Sequence, residues 1–120
     1  MPLTLVSGGS YAERESAIVA AIAAALDGPT QRCAVLLEGL PAGDFLLLPS
    51  EQLTLTRIAP GCFCCIGNLT LRVSLNRILR KGTDRIYLGI ASDAHLTAIF
   101  ATVQQSPYAQ LLLADSAISL

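Results

Sequence analysis

Three of the chain's four cysteines fall within four positions, in the segment Gly61-Cys62-Phe63-Cys64-Cys65. Three thiols this close cannot all pair with one another. A bridge between the adjacent Cys64 and Cys65 would violate the usual Cα separation of about 4.4–6.8 Å. A soft metal ion satisfies all three, because thiolates bind zinc or copper(I) strongly. A three-ligand set leaves a fourth position open to another side chain, water or a second protein. Zinc is the expected metal; an idle cluster and a redox role are the competing readings. Cys33 stands apart at the head of an apolar run and reads as core. His95 is the only histidine, and with no Ser-His-Asp or Cys-His pattern around it, it reads as a solvated or capping residue.

These residues need elements to position them. Leu3–Ser7 is a short apolar run ending in Gly8-Gly9, which reads as a buried strand entering a turn. Ser10 then precedes a helical stretch from Tyr11 to Leu26, with Glu13 and Glu15 in the first turn and Asp27-Gly28-Pro29 as its stop. Ala17, Ile18, Ala21, Ile22 and Ala25 form the face that would pack on a sheet. Cys33–Glu38 reads as a second strand and Leu53–Ile58 as a third, with a short apolar piece, Phe45–Leu48, between them. The cysteine segment therefore sits in the loop leaving a strand. After Asn68, a candidate N-cap, the spacing of Leu71, Leu75, Ile78 and Leu79 predicts a helix over Leu69–Lys81 with a solvated arginine face, closed by Gly82. Arg85–Ile90 reads as a fourth strand, Ala94–Gln105 as a third helix and Gln110–Ala114 as a fifth strand. Asp93 reads as an N-cap and Asp115 as a strand-end turn. This alternation predicts an α/β fold in three layers, with a mostly parallel sheet and right-handed crossovers.

Composition narrows the function classes. The chain of 120 residues fits one domain, residues 1–120. It is 52% hydrophobic and only 14% charged, against about 25% charged in typical globular proteins. That predicts a buried parallel sheet, a protein partner or self-association. Eight basic residues against nine acidic ones cannot build the basic face that phosphate neutralisation needs, so no nucleic acid is expected. The apolar run Ala17–Leu26 is too short for a membrane span and has no basic flank. Clustered thiols without an evenly spaced framework suit a reducing compartment, and the expected location is cytoplasmic.

A strand, a glycine turn and a helix are where a phosphate-binding loop would lie, so Gly8–Ser16 bears testing against G-x-x-x-x-G-K-[ST]. Glu13 falls at the second glycine, Arg14 at the lysine and Glu15 at the Mg²⁺-binding Ser/Thr. Glu13 brings bulk and negative charge where backbone N–H groups should wrap phosphate, and Glu15 would repel a polyphosphate. Arg14 alone keeps a positive charge. Gly8, Gly9, Arg14 and Ser16 are thus at most a vestigial phosphate loop.

Gly61-Cys62-Phe63-Cys64-Cys65, followed by a helix and then Asp84-Arg85-Ile86-Tyr87-Leu88, resembles the CobW-like metallochaperone GTPases, whose hallmark is G-C-x-C-C between the phosphate loop and the second acidic motif. Leu5-Val6-Ser7-Gly8 is similar to the start of that family's phosphate loop. Val35-Leu36-Leu37-Glu38 falls where the family has a strand ending in Asn-Glu, and Asp44 matches an aspartate shortly after it. The resemblance implies a P-loop NTPase-like fold in degenerate form, with Glu38 as a candidate fourth metal ligand, although an exposed strand-end glutamate is the plainer reading. The family's Glu-Thr-Thr-Gly is replaced by Gly89-Ile90-Ala91-Ser92, and the chain ends at Leu120 before the guanine-reading Asn-Lys-x-Asp and the C-terminal domain. GTP and Mg²⁺ are therefore not expected. The expectation is a non-hydrolysing domain that binds a metal through Cys62, Cys64 and Cys65 for metal handling or partner regulation. An interaction or oligomerisation module without ligand is the alternative, and an active GTP-binding metallochaperone the minor one.

Overall fold

A computed structural model of the protein describes residues 2–24, 32–39, 49–58, 69–91, 96–104 and 113–120. Among these residues are five strands and three helices, alternating except that no helix is described between the second and third strands. They are β1 (Pro2–Ser7), α1 (Tyr11–Ala24), β2 (Cys33–Glu38), β3 (Leu53–Ile58), α2 (Leu69–Arg80), β4 (Arg85–Ile90), α3 (Leu96–Val103) and β5 (Leu113–Ser119). The strands form one sheet in the order β3-β2-β4-β1-β5, and every pairing in it is parallel.

The strands at the centre form because both of their faces are apolar, as a parallel sheet covered on two sides requires. In β1, β2 and β4 successive side chains divide between two cores. Leu3, Leu5, Ala34, Leu36, Ile86, Leu88 and Ile90 meet Leu71, Leu75 and Ile78 of α2 and Ile99 and Val103 of α3. Val6, Cys33, Val35, Leu37 and Tyr87 meet Tyr11 and Ile18 of α1, with Ala17, Ala21 and Ile22 packed beside them. The result is a helix layer on each side of the sheet, the three-layer α/β arrangement of P-loop-like folds. The expected apolar stripes of α1 and α2 face these cores, with Ile18, Leu71, Leu75 and Ile78 buried and Ala17, Ala21, Ile22 and Leu79 partly so.

The helices' sides follow from the strand order. From β1 to β2 the chain steps across β4, with α1 on one face. From β3 to β4 and from β4 to β5 it steps in the opposite direction, with α2 and α3 on the other face. Reversing both direction and face preserves handedness, so all three crossovers share one hand, as right-twisted strands demand. Connections diverge between the neighbours β1 and β4, and their carboxyl ends mark a topological switch point, the place where open α/β sheets form a ligand crevice.

Gly89 lies in the central strand β4, where a side chain is normally wanted. A Cβ there would collide with Leu37 Cδ1 and stand 3.3 Å from Ile18 Cδ1. Its missing side chain is what lets α1 sit down on the sheet.

Two expectations are corrected. The fifth strand runs through Leu113–Ser119 and so continues past Ala114, where Gln110–Ala114 was expected to end, because pairing runs the whole length of β1, from Pro2↔Leu113 to Ser7↔Ser119; residues 110–112 lie outside the described residues. Asp115 lies inside this strand and not in a turn after it. The register passes from Leu3↔Ala114 to Thr4↔Ser116, which leaves Asp115 as the extra residue of a β-bulge. The expected piece Phe45–Leu48 lies outside the described residues.

Candidate functional site

The site is built on the carboxyl ends of β1, β2 and β4. After Ser7 the chain turns through Gly8 (φ 80°) and Gly9 (φ 62°), left-handed conformations that glycine adopts without a Cβ clash. Gly8 N–H donates to Ile90 O at 3.1 Å, tying the turn to β4. Ser10 then caps α1 through a capping box: Glu13 N–H donates to Ser10 Oγ at 3.1 Å, and Ser10 N–H donates to Glu13 Oε1 at 3.0 Å. Hydrogen bonding from the Ser10 main-chain N–H, and after it from the Ser10 side chain, holds the Glu13 carboxyl below its usual pKa. Arg14 N–H is taken by Ser10 O at 3.0 Å. The N–H groups of Gly8, Ser10, Glu13 and Arg14 all have partners within the protein, whereas a phosphate cradle would aim such groups at a ligand.

Arg14 is the centre of this arrangement. Its side chain is only 4% exposed and turns back on its own turn. Nη1 donates to Gly8 O at 3.0 Å and to Gly9 O at 2.7 Å, and Nη2 donates to Glu38 O at 2.9 Å. Nε finds no acceptor among the described residues. Burial pushes the guanidinium pKa down, while the nearby Glu38 and Glu13 charges push it up. The positive charge expected at the lysine position is present, but it is spent on main-chain carbonyls.

Glu38 is fully buried, not the exposed strand-end residue of the plainer reading. Its Oε1 accepts from Ala91 N–H at 2.8 Å, which carries the carboxylate across to the end of β4. The buried negative charge has a reason to be there, since the buried Arg14 cation needs a counter-charge. Glu15, expected to serve the helix dipole, is also buried, at 2% exposure, and pairs with Arg57 of β3 at 3.3 Å. The Arg57 guanidinium lies 5.5 Å from the centre of the Tyr11 ring. At the position where a phosphate loop has its Mg²⁺-binding hydroxyl, the side chain instead fastens α1 to β3. Ser16 is exposed on α1.

Cys62, Cys64 and Cys65 lie outside the described residues, as do Asp44, Asn68, Asp93 and His95. Among the described residues no group of three or more His, Cys, Asp or Glu side chains is placed to hold a metal. Comparison with protein-family models, curated proteins and solved structures returned no match. No helix among the described residues is long and apolar enough to cross a membrane.

The opposite, amino edge of the sheet carries a polar cleft of about 260 Å³, lined among others by Arg32, Cys33, Glu51, Gln52, Lys81 and Thr83. Cys33 is buried and has a free thiol, as its position at the head of an apolar strand predicts. Burial raises its pKa, and the Asp84 charge adds to this against the opposing effect of Arg85. A thiol whose pKa is raised by burial is a poor nucleophile at neutral pH.

Arg14 and Arg57 are the functional side chains that sequence reasoning undervalued. A basic residue in the first turn of a helix, where the dipole disfavours cations, was the one signal that Arg14 had a specific partner.

Proposed function

We propose that the protein is a non-hydrolysing, GTPase-like domain that binds a transition metal, most simply zinc, through Cys62, Cys64 and Cys65, with Glu38 as a further candidate ligand. The role is metal handling or regulation of a protein partner, in the reducing cytoplasm, where thiols stay available to a metal. The observation that carries this reading is the burial of Glu38, with its carboxylate fixed on Ala91 N–H at 2.8 Å, beside the strand that leads to the cysteines. Ile58, the last residue of β3, pairs with Glu38. Cys62 follows four residues later, a chain reach of at most about 14 Å. Three thiolates with one carboxylate make a four-ligand set suited to zinc, and a carboxylate oriented by a main-chain N–H is a favourable ligand. The absence of hydrolysis is supported by the turn after β1, where the N–H groups of Gly8 and Ser10 and the basic side chain of Arg14 serve internal partners.

The test is metal analysis of protein purified without added metal, beside a C62S/C64S/C65S control. About one zinc per chain, lost in the control, is expected; metal no higher than in the control overturns the reading. Titration with a fluorescent GTP analogue and Mg²⁺ is expected to show no saturable binding.

A second reading, an interaction module without ligand, is favoured by β3. It ends the sheet, and its residues Leu53 and Leu55 are only partly buried. A second chain pairing along that edge would cover them. Light scattering over a range of concentrations tests this, and a strictly monomeric species counts against it.

A further inference from the structure

We infer that the crevice at the β1–β4 switch point is a cation site whose resident cation is the protein's own Arg14. The inference rests on that part of the proposed function which leaves the crevice without nucleotide. A phosphate loop directs N–H groups inward and so selects an anion. Here the inward-facing groups around the guanidinium are the carbonyl oxygens of Gly8, Gly9 and Glu38, at 3.0, 2.7 and 2.9 Å. The sign of the site is reversed. The N–H groups of Gly8 and Ser10 point to Ile90 O and Glu13 Oε1, so an arriving anion would meet carbonyl dipoles and a carboxylate.

Two further features fit a tethered cation. The Glu38 charge lies near Arg14 and favours its protonated form. The space is also shaped to the guanidinium, since a Cβ built on Gly39 would stand 2.6 Å from Arg14 Nη2 and 2.8 Å from Tyr11 Cδ2. Arg14 thus orders the turn in the way a bound ligand orders a phosphate loop, by joining Gly8 O, Gly9 O and Glu38 O through one side chain. Arg14 acts here as a positioning residue.

The prediction can be read by thermal unfolding of the wild type, R14K and R14A, each with millimolar guanidinium chloride against equal sodium chloride, and with pyrophosphate. R14A removes the cation and leaves three inward carbonyls, so its Tm is expected to fall by about 10 °C. Guanidinium should restore part of that loss while leaving the wild type unchanged. R14K, with one compact charge for three divergent acceptors, should fall between. Pyrophosphate should not raise the wild-type Tm. A wild-type Tm raised by pyrophosphate and not in R14K would make Arg14 an anion ligand and overturn the inference. So would an R14A Tm equal to the wild type's, or an R14A response to guanidinium no greater than to sodium. If R14A does not fold, the wild-type and R14K measurements still decide. Metal content depends on the cysteines and is read separately, so failure of the metal assignment and failure of this inference are distinguishable.

Discussion

The Arg14 guanidinium donates to the Glu38 carbonyl oxygen at 2.9 Å, across 24 positions of sequence, and so joins the first turn of α1 to the end of β2. Both residues are buried, and the Glu38 side chain also receives Ala91 N–H. Removing the carboxylate therefore costs two things at once, the counter-charge of a buried cation and the acceptor of a main-chain donor. Glu38→Ala is expected to destabilise the domain by about 3–5 kcal/mol in urea unfolding. Glu38→Gln retains an acceptor and should lose less. If the alanine and glutamine variants are equally stable, the carboxylate's charge has no part in the fold.

Gly89 sits under α1 with Leu37 and Ile18 around its vacant Cβ position. Gly89→Ala is expected to cost about 1–3 kcal/mol by overpacking, despite alanine's better fit to a strand. Pairing it with Leu37→Val, which withdraws the colliding methyl group, should recover part of that loss. A double-mutant cycle on unfolding free energies measures the coupling, and simple additivity would show that the contact does not limit how closely α1 approaches.

The capping box gives α1 a pH dependence. Glu13 has a lowered pKa in the folded protein, so its contribution is present above the unfolded pKa of about 4.3 and fades as pH falls through the lower, folded value. Glu13→Gln, which retains an acceptor for Ser10 N–H, should flatten the acid side of the stability curve relative to wild type. Urea unfolding between pH 3 and 6 checks this. An unchanged slope would assign the acid dependence to other groups.

Cys33 has a raised pKa and is buried at the start of β2. In C62S/C64S/C65S protein it is the sole thiol, and its labelling by a thiol reagent at mildly alkaline pH should proceed only as fast as the structure opens. Added urea should speed it steeply. Labelling at the rate of a free peptide thiol would mean that the start of β2 is accessible in the native state.

The strands legible in the sequence were those whose burial leaves a composition signal. β1, β2 and β4 carry apolar residues on both faces, and LTLVS, CAVLLE and RIYLGI announce this directly. β5 reads as ending at Ala114 because Leu111-Leu112-Leu113 looks more strand-like than Ala114-Asp115-Ser116. An edge strand owes its position to pairing with β1, and hydrophobicity does not record pairing. The site divides in the same way. The loss of glycine and lysine from the phosphate-loop pattern was visible residue by residue. That Arg14 turns back to Glu38, and that Glu38 is buried, depends on partners 24 and 53 positions away, beyond the reach of any local pattern.

The bulge at Asp115 sets a rule for length changes in β5. The extra residue puts Ile118 opposite Val6, on the side of the sheet where it packs beneath α1. Were Asp115 to pair with Thr4 instead of bulging out, Ile118 would align with Ser7 and emerge on the other side, since side chains alternate with a period of two. Deleting Asp115 alone would remove the bulge and leave Ser116 opposite Thr4 and Ile118 opposite Val6, so this one position of β5 can be lost without turning the strand over. The edge strand thus carries one residue more than its pairing with β1 requires.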